Sequence, residues 1–294
     1  LGDAAYWKKW LDFRQAALKD DWERIRESSA NPAYRPQFVF DTGLEHLRVA
    51  LTIYSSGASV RDLAPHLPRI LDAWEISNRL AEEVCRQSGG ATCRDWDFNL
   101  ANLNHYNWCF WLVGLALCLD TPDEQWHRLL ALIGCRERDI LLDRVIASRQ
   151  PDREIGTTLL HPKPYMRLLK AVEAAKEQQS AFLLEFVQHW YTELKRPPPK
   201  ERGGPTMEPY WHIYGDPRMH PLERGSYFGR WCVEAAAVVK AFGLDDSLCL
   251  GHEHYPGDLL RPDGPSTHLA RLELASGLAG MKARFARWLS RAAG

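Results

Sequence analysis

The run WCFWLVGLALCL, Trp108 to Leu119, constrains the fold more than any other stretch, because its twelve residues include no charged side chain. A membrane-spanning helix needs about 20 apolar residues, so the run is too short to cross a bilayer and too apolar to face water. It is expected to be a helix buried on most sides. Elsewhere apolar residues recur at helical spacing. Tyr6, Trp10, Phe13, Ala17 and Trp22 make one stripe, Leu44, Leu47, Leu51 and Tyr54 a second, and Ile70, Trp74, Ile76 and Leu80 lie on a helix over about 67–84. No segment alternates convincingly as a strand.

Thr121-Pro122-Asp123-Glu124 predicts a helix start with Thr121 as the cap, and the helix should end near Gly134. The apolar helix is placed at about 98–119 and further helices at about 138–148, 165–175, 181–195, 226–242 and 268–291, with loop over 154–164. RPPPKERGGP, Arg196 to Pro205, reads as a linker, since its run of three consecutive prolines lacks the backbone donors a helix requires. The expected fold is all-α and two-lobed, with about ten to twelve helices and no significant sheet. An N-terminal helical domain is expected over 1–119 and a C-terminal one over 120–294.

A formal net charge of -1 supplies no general attraction to nucleic acid or anionic membrane, so charged recognition must be local. Neither direct nucleic-acid binding nor membrane association is expected. The seven cysteines are odd in number, lie partly within apolar runs and contain no CxxC pair, which points to reduced thiols and a cytoplasmic location. The first thirty residues, charged and rich in tryptophan, resemble neither a signal nor a transit peptide.

Candidate chemistry concentrates in GLDDSLCLGHEHYPGDLL, Gly243 to Leu260. His252, Glu253 and His254 fall short of HExxH, in which the two histidines sit one helical turn apart. Asp245 and Asp246 open a DDxxD-like run of the kind that holds magnesium on diphosphate substrates, but Cys249 replaces the third carboxylate. The plainer reading is that Gly243 ends a helix in the left-handed conformation and an aspartate caps the next turn. Nucleophile elbow, phosphate-loop and dinucleotide fingerprints are absent, so no catalytic, metal or cofactor residue is assigned. In YSSGAS, Gly57 breaks a helix and Ser59 caps the next. Glu234, alone in an apolar helix, is expected to pair inside the lobe with an arginine or a tyrosine hydroxyl.

The stretch YFGRWCVEAAAVVKAFGLDDSLCLGHEHYPGDLL, Tyr227 to Leu260, resembles the C-terminal domain of PoNi-type immunity proteins. Trp231, Glu234, Ala235, Ala236, Gly243, Asp245, Asp246, His252, Tyr255, Pro256, Asp258 and Leu259 carry that resemblance. ALTIYSSGASVRDLAPHL, Ala50 to Leu67, is similar to the N-terminal domain through Tyr54, Ser55 and Gly57. His254 departs from the pattern, standing where an aromatic residue is usual, and the linker is unusually rich in proline. The resemblance implies an all-α, non-enzymatic cytoplasmic antitoxin whose partner is a cognate nuclease toxin, a PoNe-type DNase delivered by bacterial type VI secretion.

A nuclease presents cations to phosphates, so an inhibitor can place carboxylates against them. Asp245, Asp246, Glu253 and Asp258 are the expected contacts, with Asp120, Asp123 and Glu124 as a second group. An equal expectation is that the C-terminal motif is internal architecture and the interface lies elsewhere. Two other readings use the same helices: a metal-dependent enzyme acting on a phosphorylated or diphosphate substrate through Asp245 and Asp246, and a helical scaffold for a non-toxin partner.

Overall fold

The computed structural model describes residues 1–88, 99–134, 138–196 and 208–268. Among these residues the chain is all-α, with nine α-helices, several 3-10 turns and no strand. The helices are α1 (Ala4–Arg26), α2 (Arg35–Ser55), α3 (His66–Ser88), α4 (Leu103–Cys118), α5 (Asp123–Ile133), α6 (Ile140–Ala147), α7 (Pro162–Glu173), α8 (Lys176–Leu194) and α9 (Val233–Phe242). Nine is slightly below the expected number. The final helix expected over 268–291 and most of the linker expected over 196–205 lie outside the described residues.

The apolar run is α4, and its side chains from Tyr106 to Cys118 are buried all round, as its composition requires. Helix α9 lies against it, while α2 packs between α1 and α3, α5 rests on α3, and α7 pairs with α8. At Gly114 a Cβ would stand 2.9 Å from that of Ala237 and 3.0 Å from Val233 Cγ1, so the α4–α9 approach depends on glycine. One continuous buried cluster runs from Leu18 through α4 to Leu259. No helix among the described residues is long and apolar enough to cross a membrane.

Three local expectations are corrected. The fully buried side chains of α1 are Trp7, Arg14 and Leu18; of the expected stripe Phe13 is 61% exposed, while Tyr6, Trp10, Ala17 and Trp22 are half-buried. The shift has a cause: Arg14 enters the interior to pair with Glu45 and donates to the Gly225 carbonyl at 2.8 Å. Thr121 does not cap α5, because its hydroxyl donates back to the Ala116 carbonyl of α4 at 2.8 Å. Helix α9 starts at Val233 rather than near 226, because Gly229 at φ +110° takes a backbone conformation that breaks a helix.

Cys109, Cys118, Cys232 and Cys249 are buried thiols outside any disulfide. Cys85 is disulfide-bonded, against the expectation of reduced thiols throughout. It sits in the last turn of α3.

Candidate functional site

Glu234 occupies the first turn of α9 and is wholly buried. Its Oε1 accepts from Asn107 Nδ2 at 2.8 Å, Tyr165 hydroxyl at 2.8 Å and Trp190 Nε1 at 3.1 Å, and its Oε2 accepts from Trp111 Nε1 at 3.0 Å. The expected tyrosine hydroxyl is there, and no arginine. Neutral donors and the positive end of the α9 dipole replace a cation. Burial raises the carboxyl pKa, while the donated hydrogen bonds oppose the rise. Asn107 extends the network by accepting from Trp211 Nε1 at 2.9 Å, and Trp211 stacks on Trp190 with centroids 5.7 Å apart. This cluster ties α4 to α7, α8 and α9. It is closed to solvent and therefore architectural.

The motif at the end of α2 makes a second tie. Trp231 Nε1 donates to the Ser55 hydroxyl at 2.7 Å, and that hydroxyl donates to the Phe228 carbonyl at 2.8 Å. The Tyr54 ring meets Trp231 edge-on at 4.9 Å. Gly57 then turns the chain at φ +83°, and Ser59 accepts from the Arg61 amide at 3.2 Å to cap the following turn.

In the 243–260 stretch the two expected roles divide residue by residue. Gly243 caps α9 at φ +65° with its N–H on the Val239 carbonyl. Asp245 faces solvent and accepts from the Ser247 amide and hydroxyl, each at 3.0 Å, which holds its carboxyl below the usual range. Asp246 turns inward, accepting from Tyr255 hydroxyl at 2.6 Å and from Arg261 at 2.5 and 2.9 Å. Asp258 is also buried, where Thr267 amide and hydroxyl and the Ser266 hydroxyl donate to it. Asp246 and Asp258, expected as toxin contacts, are thus buried and bonded within the loop they hold together.

Glu253 is exposed and paired with Arg230 at 2.7 Å. Asp120 pairs with Lys240 at 2.9 Å and Asp123 with Arg149 at 2.6 Å, both carboxylates largely exposed, and Glu124 is exposed beside them. Leu248 and Leu250, 54% and 40% exposed, flank Cys249 on the same loop as Asp245. Asp245, Glu253, Leu248 and Leu250 therefore present an outward edge, while Tyr255, Pro256 and Leu259 are buried beneath.

The half-buried His252 carries the local turn through its carbonyl, which accepts from the Tyr255 amide at 3.0 Å. His254 does the work of the aromatic residue it replaces, with its ring 5.6 Å from Trp190 and 5.4 Å from Tyr191. Its Nδ1 lies 3.1 Å from the Arg230 carbonyl, and burial lowers its pKa to about 4. With His254 inward and Glu253 outward, HEH does not converge on a point, and Asp245 and Asp246 diverge likewise. No group of three or more histidine, cysteine or acidic side chains among the described residues is arranged to hold a metal ion.

Asn107, Trp111, Tyr165, Trp190, Trp211 and Gly229 were not singled out from the sequence. The available signal was the density of aromatic residues around an isolated buried acid, but spacing does not show which tryptophans converge.

Comparison with known proteins adds the following. Residues 1–131 match the family described as PoNe immunity protein (PoNi), N-terminal, and residues 137–259 match PoNe immunity proteins (PoNi), C-terminal. No curated protein matches the chain. Among solved structures, Protein PA2201 from Pseudomonas aeruginosa is similar at 20% identity over 89% of each chain, with a TM-score of 0.65, a likeness of fold.

Proposed function

The chain belongs to the PoNe immunity protein family, and from that membership we propose that it binds and neutralises a cognate nuclease toxin of type VI secretion, protecting the cell that makes it. The observation that carries the reading is that the two family regions, 1–131 and 137–259, together span most of the chain. Protection of chromosomal DNA places the complex in the cytoplasm. The mechanism is stoichiometric capture with no reaction catalysed by this chain. A nuclease's phosphate-binding cations are met by exposed carboxylates, and Asp245, Glu253, Asp120, Asp123 and Glu124 are the exposed ones among the expected contacts. Leu248 and Leu250 supply apolar area beside Asp245.

The magnesium-enzyme alternative needs Asp245 and Asp246 to act together, whereas Asp245 accepts from Ser247 at the surface and Asp246 from Arg261 inside. Co-expression of the chain with the nuclease toxin domain expected to be encoded beside it, followed by size-exclusion chromatography, tests the proposal. A co-eluting complex supports it, and separate elution contradicts it.

A further inference from the structure

Two adjoining cavities form a groove between α1 and α3. One cavity of about 370 Å³ is lined by Leu18, Lys19, Trp22, His46, His66 and Arg69 among others. A second, of about 500 Å³, shares Trp22, Arg26 and Arg69 with it and continues past Ile25, Ile76 and Arg79.

Hydrogen bonding sets the sense of the first cavity. An indole can only donate, so the 2.8 Å contact from Trp22 Nε1 makes His46 Nε2 an acceptor and puts the His46 proton on Nδ1. That proton points to His66 Nδ1 at 3.1 Å, which must accept, so His66 carries its proton on Nε2. The same assignment removes His46 Nδ1 as a metal ligand. His66 makes no further hydrogen bond with a described residue, which leaves its Nε2–H as a donor on a residue lining the groove.

The charges have the same bias. Lys19, Arg26 and Arg79 have no anionic partner within bridging distance among the described residues, and Arg69 lies over the Trp22 ring and 3.9 Å from Asp72. Asp72 and Glu75 share Arg128 at 2.7 and 2.8 Å, so Lys19, Arg26, Arg69, Arg79 and Arg128 together outnumber the acids Glu23, Asp72 and Glu75. The walls thus offer donors and positive charge above an apolar floor of Leu18, Ile25 and Ile76, on a protein whose net charge is -1.

We infer that this groove binds an acidic, amphipathic polypeptide segment, its carboxylates met by Lys19, Arg26, Arg69, Arg79 and the His66 Nε2–H, and its apolar side chains seated on Ile25 and Ile76. Two adjoining cavities and an apolar floor distinguish a segment from a single small anion. The surface is separate from the acidic edge around Asp245, so its occupancy is independent of the proposed toxin contact.

The test is a fluorescence titration of the full chain with a labelled peptide bearing Glu and Leu at i, i+3 and i+4. The same peptide with Gln for Glu and inorganic phosphate serve as comparison probes. Saturable binding of the Glu peptide is expected, weakened at least tenfold by Gln replacement and by Arg26→Glu with Arg69→Glu, both exposed positions, and unchanged by Asp245→Lys. Absence of binding, equal binding of both peptides, insensitivity to the arginine reversals, or displacement by equimolar phosphate overturns the inference. Nitrogen-15 shifts of the imidazoles give an independent check: protonation of His66 at Nδ1 rather than Nε2 also overturns it.

Discussion

Trp231 donates its indole proton to the Ser55 hydroxyl at 2.7 Å across 176 residues of sequence. The contact joins the end of α2 to the segment entering α9, and so links the two regions matched by the family's N- and C-terminal domains. Ser55 is fully used, accepting from the indole and donating to Phe228. Ser55→Ala should cost about 2 kcal/mol, since it leaves a buried donor and a buried carbonyl unpaired. Trp231→Phe in the same background should cost less than in the wild type. Urea unfolding of the double-mutant cycle measures that coupling, and additive losses would contradict it.

Gly229 permits the same joint. A Cβ there would lie 2.2 Å from Trp231 Nε1 and 2.4 Å from Ser55 Oγ, on a backbone at φ +110°. Gly229→Ala should destabilise by about 3 kcal/mol or more, strain and displaced hydrogen bonds together. Gly251 has φ +82° with only the Thr267 carbonyl nearby at 3.7 Å. Gly251→Ala should therefore cost about 1 kcal/mol, from backbone strain alone. Chemical-denaturation midpoints give the comparison.

Glu234→Gln tests the buried carboxylate. An amide can offer only one acceptor atom to partners that include two indoles, so one indole is left facing an N–H group. A loss of about 2 to 3 kcal/mol is expected, against well under 1 kcal/mol for Glu124→Gln at the surface.

Acid should weaken the fold through its histidines. Burial first, then His66 and Arg69, lowers the His46 pKa to about 3, and burial lowers that of His254 to about 4. Unfolded chains take up these protons near the ordinary value of 6.5, and the folded chain refuses them. The stabilisation is present above that value and lost as pH falls toward about 3 to 4, on the order of 1 to 2 kcal/mol per histidine by pH 5. Glu234 has the opposite sign: its raised folded pKa stabilises below 4.5 and the benefit fades as pH rises through the folded value. His254→Phe should flatten the fall between pH 7 and 5 in urea midpoints, and an unchanged slope would contradict the histidine assignment.

The expectations succeeded where chemistry is local. The apolar run of α4, the Gly243 cap, the Ser59 cap and the inward Glu234 each follow from residue type and immediate neighbours. They fell short where distant partners decide. Asp245 and Asp246 are adjacent and equivalent as letters, yet only Asp246 meets Arg261 and Tyr255. The outward turn of Phe13 depends on Arg14 finding Glu45 and Gly225, which helical spacing cannot encode.

That division yields a contrast in variants. Asp246→Asn should lower stability by about 1.5 to 3 kcal/mol, weakening the charged hydrogen bonds to Arg261. Asp245→Lys with Glu253→Lys should leave the unfolding midpoint within about 1 kcal/mol of wild type. The same pair should weaken toxin binding at least tenfold if this edge is the contact. Unchanged affinity in the folded double variant would place the contact elsewhere.

The most direct measurement is survival of bacteria that express a PoNe-type nuclease toxin domain in the cytoplasm, with and without this chain. Full growth and intact chromosomal DNA on co-expression are predicted, with protection diminished for the Asp245→Lys, Glu253→Lys variant. Continued DNA degradation and cell death in the presence of well-expressed, folded wild-type chain would contradict the immunity function.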